Sequence, residues 1–129
     1  MSFNSFFHPK SVAIVGASQN PDKLGSIILQ NIIDAGFKVI NPVQTNCYQM
    51  EPDILKKEFG KDICFWGGGI DTRTILNHGT TQQVRDQVKE RLDIFMPGGG
   101  FVFNTVHNIL PDVPPENIVA MFDEVLKYK

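Results

Sequence analysis

Three groups of residues have types and spacing that could do chemistry. The first is Gly16-Ala17-Ser18, which closes the β-branched run Val12 to Val15 and is followed by a polar loop holding Lys23 and Gly25. Glycine permits a tight turn, Ser18 offers a hydroxyl and an amide, and a helix opening near Lys23 to Gly25 aims its unbonded N–H groups over the loop, an arrangement that suits a phosphate. The spacing is neither that of a dinucleotide fingerprint nor that of a Walker loop, so the same small residues also serve an ordinary strand-to-helix turn. The second group is Asp71 and His107, each beyond the end of an apolar run, where a carboxylate and an imidazole either face a pocket or hold loops by hydrogen bonds. The third is Cys47, Cys64, His78 and His107, whose scatter matches no metal-ligand spacing, so no zinc site is expected. Cys47 and Cys64 read as reduced, partly buried thiols rather than a disulfide.

The elements that must position these residues repeat one theme. Val12 to Val15 reads as a strand, and Leu24, Ile27, Ile28, Ile32 and Ile33 recur at helical spacing up to Gly36. Lys38 to Ile40 reads as a second strand; Pro52 then suits a first helical turn, with Ile54, Leu55 and Phe59 on one face before Gly60. Ile63 to Trp66 is a third strand broken by Gly67-Gly68-Gly69, after which Thr80 and Gln83 form a capping box ahead of Val84, Val88 and Leu92. Phe101 to Val106 is a fourth strand, and Pro114-Pro115-Glu116 opens a last helix expected to bury Ile118, Phe122, Val125 and Leu126. Strands alternating with helices call for a parallel sheet with right-handed crossovers. The expected fold is therefore α/β: a small parallel four-stranded sheet of βα repeats, arranged in a Rossmann-like or flavodoxin-like way or as a half-barrel. Sites in such folds lie beyond the carboxyl ends of the strands, here Gly16 to Ser18, Asn41-Pro42, Gly67 to Asp71 and Asn104 to His107.

Composition narrows the classes further. A chain of 129 residues, 42% hydrophobic and 20% charged, fits one domain over 1–129 rather than a disordered tail. The net charge of −2, with basic residues dispersed among acids, implies neither nucleic acid nor a membrane surface as partner. No apolar run is long enough to span a bilayer and the N-terminus lacks the order of a signal peptide, so a soluble, cytoplasmic protein is expected.

Two resemblances add to this reading. "FFHPKSVAIVGASQNPDKLGSIILQNIIDAGF" resembles the start of the CoA-binding, Rossmann-like domain of ADP-forming acyl-CoA synthetases. That resemblance implies that Gly16, Ala17, Ser18, Lys23 and Gly25 touch CoA phosphates. From Val39 onward, "VINPVQTNCYQMEPDILKKEFGKDICFWGGGIDTRTIL", "GTTQQVRDQVKERL", "GGGFVFNTVHNI" and "DVPPENIVAMFDEVLKY" are similar to the C-terminal end of the uroporphyrinogen decarboxylase family, especially its methyltransferase-like branch. The family is a TIM barrel, and the resemblance implies that His107 faces a substrate pocket with Asp71 at the neighbouring strand end. The two texts meet at "KVINP", dividing the chain into a CoA-binding-like segment, 1–38, and a decarboxylase-barrel-like segment, 39–129.

Together they imply an engineered chimera: a designed α/β scaffold with no selected catalytic activity, not an enzyme, and with Asp71 and His107 as vestiges. The resemblance implies that the catalytic carboxylate and the arginine contacts of the decarboxylase family come from early barrel strands, and that its methyltransferase branch needs further His and Cys ligands for zinc, none of which is expected in this sequence. The alternatives are a weak CoA or nucleotide-phosphate binding module and a relic of a decarboxylase-type enzyme. No cofactor is required, though weak affinity for CoA or phosphate is an expectation. The barrel parent implies that the second, third and fourth strands are sequential neighbours, whereas the Rossmann parent places the first beside the second. A small sheet with open edges also implies a homodimer through an exposed sheet edge or face.

Overall fold

The computed structural model describes Asp34, Gly36 and residues 38–48 and 50–128. The expected strand at Val12 to Val15 and the helix after it lie outside the described residues. Within them the chain runs β1 (Val39–Ile40), α1 (Pro52–Phe59), β2 (Cys64–Trp66), α2 (Ile75–His78), α3 (Thr81–Phe95), β3 (Phe101–Val102) and α4 (Pro115–Lys127). The strands form a parallel sheet in the order β1-β2-β3, with Ile40 beside Phe65 and Phe65 beside Phe101. This sequential order is the one that the barrel resemblance implies for those strands.

Local signals account for most of these elements. Pro52 fills the first turn of α1, where its missing N–H has no intrahelical partner to lose, and Gly60 closes the helix. The Thr80 hydroxyl accepts from the Gln83 amide at 3.3 Å, and the Gln83 side chain accepts from the Thr80 amide at 2.8 Å, completing the capping box of α3.

Alternation along the strands sends Ile40, Phe65 and Phe101 toward the helices and Trp66 and Val102 to the other, exposed face. Two buried clusters lie beneath the helices, one around Ile40, Leu55 and Phe65 and the other around Ile70, Val88 and Met121. A chain of rings joins them: Phe65 and Phe95 have centroids 5.1 Å apart, Phe95 and Phe101 stack at 4.8 Å, and Phe103 meets Phe101 edge-on at 6.3 Å. Lys56 ties α1 to the end of α3, donating to the carbonyl oxygens of Phe95 at 2.8 Å and Gly99 at 2.6 Å.

Three features differ from the sequence reading. The fourth expected strand stops after Val102, although its backbone continues beside β2 through bonds from Gly69 N to Asn104 O and from Val106 N to Ile70 O. The short α2 was not expected; Thr74 precedes it without a side-chain cap bond, and its end is tied down by Asn117, which donates to the carbonyls of Leu76 and Gly79. The buried face of α4 is Asn117, Ala120 and Met121; Ile118 and Val125 are half-buried, while Phe122 and Leu126 are exposed. The apolar arc of α4 is wider than the core it packs on, so periodicity alone places its centre too far round the helix.

Candidate strand-end site

The carboxyl ends of the three strands open into a cleft of about 1090 Å³, lined among others by Asn41, Arg73, Asn77, Asn104, Thr105 and His107. Beside it the loops approach one another closely through the glycines after β2. Gly68 takes φ +81, a left-handed conformation that β-carbon-bearing residues rarely adopt. At Gly69 a Cβ would sit 2.4 Å from the Phe103 ring and 2.9 Å from the Asn104 carbonyl. The glycine run therefore lets the loops after β1, β2 and β3 pack directly on one another.

Polar side chains then fix the rim. Asn41 donates to the Trp66 carbonyl at 2.9 Å, the Asn104 side chain accepts from the Thr105 amide at 2.9 Å, and the Thr105 hydroxyl donates to the His107 carbonyl at 2.5 Å. The His107 ring is exposed, with Nε2 3.3 Å from the Gln44 Oε1. Arg73 gives the lining its permanent positive charge.

Asp71 is held differently. Its buried carboxylate accepts from the Arg73 amide at 2.7 Å, the Thr74 hydroxyl at 3.0 Å, the Thr74 amide at 3.3 Å and the Asn46 side chain at 3.3 Å. Its own amide donates to Gln87 at 2.8 Å. These bonds close the turn that leads from β2 into α2, and Asp71 is not among the residues lining the cleft. His107 and Asp71 thus lie at neighbouring strand ends without a hydrogen bond between them. Behind them Arg91 is buried on α3 with its Nε unpartnered; burial pulls its pKa down, against the opposing charges of Glu90, Asp71 and Asp53.

The remaining sequence candidates separate from this site. Gly16, Ala17, Ser18, Lys23 and Gly25 lie outside the described residues. Cys47 and Cys64 are half-buried free thiols, and among the described residues no three His, Cys, Asp or Glu side chains converge in a way that could hold a metal. No helix among them is long and apolar enough to cross a membrane. Asn41 stands at a strand end named in the sequence reading, whereas Arg73, in the turn after β2, and Asn77, within α2, were not singled out by it.

A strand-end cleft with an imidazole and a guanidinium on its rim sits where parallel α/β folds place their ligands. The profile of the family Uroporphyrinogen decarboxylase (URO-D) matches residues 19–128. The chain belongs to the uroporphyrinogen decarboxylase family. It is 31% identical over 103 residues to the uroporphyrinogen decarboxylase of Hahella chejuensis, a likeness covering 80% of this chain and 27% of that protein. It is 41% identical over 51 residues to that of Pseudoalteromonas translucida, covering 40% of this chain and 14% of that protein. It is also 47% identical over 77 residues to the acetate–CoA ligase [ADP-forming] I subunit alpha of Pyrococcus furiosus, covering 59% of this chain and 17% of that subunit. The chain thus spans a small part of each curated relative. Only residues 1–18 and 129 fall outside the decarboxylase-family match, so the 77-residue likeness to the ligase subunit overlaps it over most of its length.

Proposed function

We propose that this chain is a chimeric α/β scaffold, built deliberately from a CoA-ligase-like and a decarboxylase-like segment, with no catalytic activity of its own. The observation that carries the reading is the state of Asp71. A carboxylate accepting four hydrogen bonds from its own loop and from Asn46 is a turn-closing group, and among the described residues the cleft lining gives His107 no acidic partner. Proton transfer needs a base and a proton donor within hydrogen-bond reach of the reacting group. The rim offers amides, hydroxyls, Arg73 and an imidazole resting against Gln44, a set suited to holding a ligand rather than to transforming it. The identity to both kinds of relative within one short chain supports the chimeric origin.

The same reading keeps one local function, weak binding of phosphate-bearing ligands such as CoA at Gly16 to Gly25. A turn that needs one strand, one helix N-terminus and Lys23, all contiguous in sequence, survives transplantation better than a site assembled from distant segments. The test is an amide-shift titration of the full chain with CoA and with pyrophosphate. Shifts clustered at Gly16 to Gly25, weakened in Lys23→Ala without unfolding, support the reading. Absence of shifts there at millimolar ligand refutes phosphate binding. The second reading, a relic of decarboxylase-type chemistry, draws on the family match and on the place of His107 in the cleft. Turnover of a porphyrinogen that His107→Ala abolishes would favour it.

A further inference from the structure

Two buried groups of opposite charge behind the cleft are unevenly matched. Arg91 on α3 and Asp71 in the turn after β2 are each 9% exposed. The Asp71 carboxylate accepts from four donors, whereas the Arg91 Nε has no acceptor. A buried donor without a partner costs free energy that a neighbouring acceptor would recover.

The two side chains are placed to meet. Gln87 stands four residues before Arg91 on the same stripe of α3, and its side chain accepts from the Asp71 amide at 2.8 Å. Side chains of a helix lean toward its N-terminus, so Arg91, one turn below, extends up toward Gln87 and the Asp71 turn. Three carboxylates act on the Arg91 charge, those of Glu90, Asp71 and Asp53, and of these only Asp71 is buried. Asp71 is not held tightly where it is. Its bonds from the Thr74 amide and from Asn46 are each 3.3 Å long, past the usual range of about 2.7–3.2 Å. The Arg73 amide at 2.7 Å and the Thr74 hydroxyl at 3.0 Å hold it closely. A guanidinium fork offers parallel N–H groups to both carboxylate oxygens, so Arg91 competes with this set.

We propose that Asp71 is a two-position switch. In the position seen it closes the turn after β2; in the second it pairs with Arg91 and releases the Arg73 and Thr74 amides. Thr72 and Arg73 line the cleft, so the second position frees the wall that carries the permanent positive charge of the cleft. Packed interiors move between discrete arrangements rather than deforming continuously, and a buried carboxylate with two donor sets is such an element. A ligand that touches Arg73 therefore biases the switch, and the switch alters the affinity for that ligand by the same factor.

Nitrogen–proton spectra of the full chain that resolve the Arg91 Nε–H, together with hydrogen exchange of the Arg73 amide, test this. Thr74→Val and Asn46→Ala, both at exposed positions, weaken the first position. In each the Arg91 Nε–H signal should move downfield, and the Arg73 amide should exchange at least ~3-fold faster. Arg91→Met removes the second position, so the Arg73 amide should exchange ~2–10-fold more slowly than in wild type, the reverse of what losing a merely supporting cation does. An Arg91 signal that stays in place in both donor variants overturns the switch, as does an Arg73 amide that exchanges as fast or faster in Arg91→Met. If Arg91→Met does not fold, the two donor variants decide by the Arg91 signal alone.

Discussion

Asn117 is expected to be the most sensitive polar position of the fold. The residue is 2% exposed at the third position of α4, and its amide nitrogen donates to the Leu76 carbonyl at 3.0 Å and the Gly79 carbonyl at 2.8 Å. Leu76 lies in the last turn of α2, whose carbonyls have no intrahelical donors, so Asn117 satisfies from another element what α2 cannot satisfy itself. Asn117→Ala removes two bonds worth about 1 kcal/mol each and leaves a buried carbonyl unpaired at about 1–3 kcal/mol, while the part-buried Gly79 oxygen regains water. The sum is a loss of about 2–4 kcal/mol, or about 8–16 °C in Tm at ~4 °C per kcal/mol for a chain of this size. Thermal and urea unfolding followed by circular dichroism measure it. Asn117→Asp separates donation from helix-dipole effects: an acidic group in the first turn favours the helix by about 0.3–1 kcal/mol, yet it cannot donate to two carbonyls. If Asn117→Asp matches wild type, or Asn117→Ala costs less than about 1 kcal/mol, the stapling of α2 to α4 has been misread.

Lys56→Met should remove two charge-assisted bonds to the end of α3 and its glycine turn, lowering stability by about 1–3 kcal/mol in urea unfolding. Gly69→Ala should cost about 1–3 kcal/mol, because the new methyl meets the Phe103 ring at 2.4 Å and that ring is already packed on Phe101; the same denaturation midpoint reports it. The exposed Lys89–Asp93 pair, at 2.5 Å, should shape both ends of the pH profile. The hydrogen bond from Lys89 holds the Asp93 carboxyl below its usual range, and the bond to Asp93 holds the Lys89 ammonium above its own. The contribution of Asp93 is therefore present above the unfolded carboxylate pKa and is lost as pH falls through the folded value. That of Lys89 is present below its unfolded pKa and lost as pH rises through the folded one. Asp93→Asn should flatten both slopes slightly in Tm against pH, and unchanged slopes would show the pair contributes nothing.

What could be read beforehand was local. The Thr80–Gln83 capping box and the Pro52 to Gly60 helix are written in adjacent residues, and the strand runs at Val39-Ile40 and Cys64 to Trp66 stand where their β-branched and aromatic residues place them. The cleft was foreseeable as a position because it follows from parallel strand direction alone. The behaviour of Asp71 was not, since two of its partners, Asn46 and Gln87, are 25 and 16 residues away and nothing in the sequence pairs them. The face of α4 was misplaced for a related reason. Periodicity measures how wide an apolar arc is, whereas burial depends on how much neighbouring structure exists to cover it, and here Phe122 and Leu126 extend past that structure.

The central claim, a scaffold with a ligand-holding cleft and no chemistry, is tested most directly by single-turnover decarboxylation of uroporphyrinogen with the purified full chain and with His107→Ala in parallel. The account predicts product formation indistinguishable from buffer for both. Product formed by the wild type and abolished by His107→Ala would contradict it.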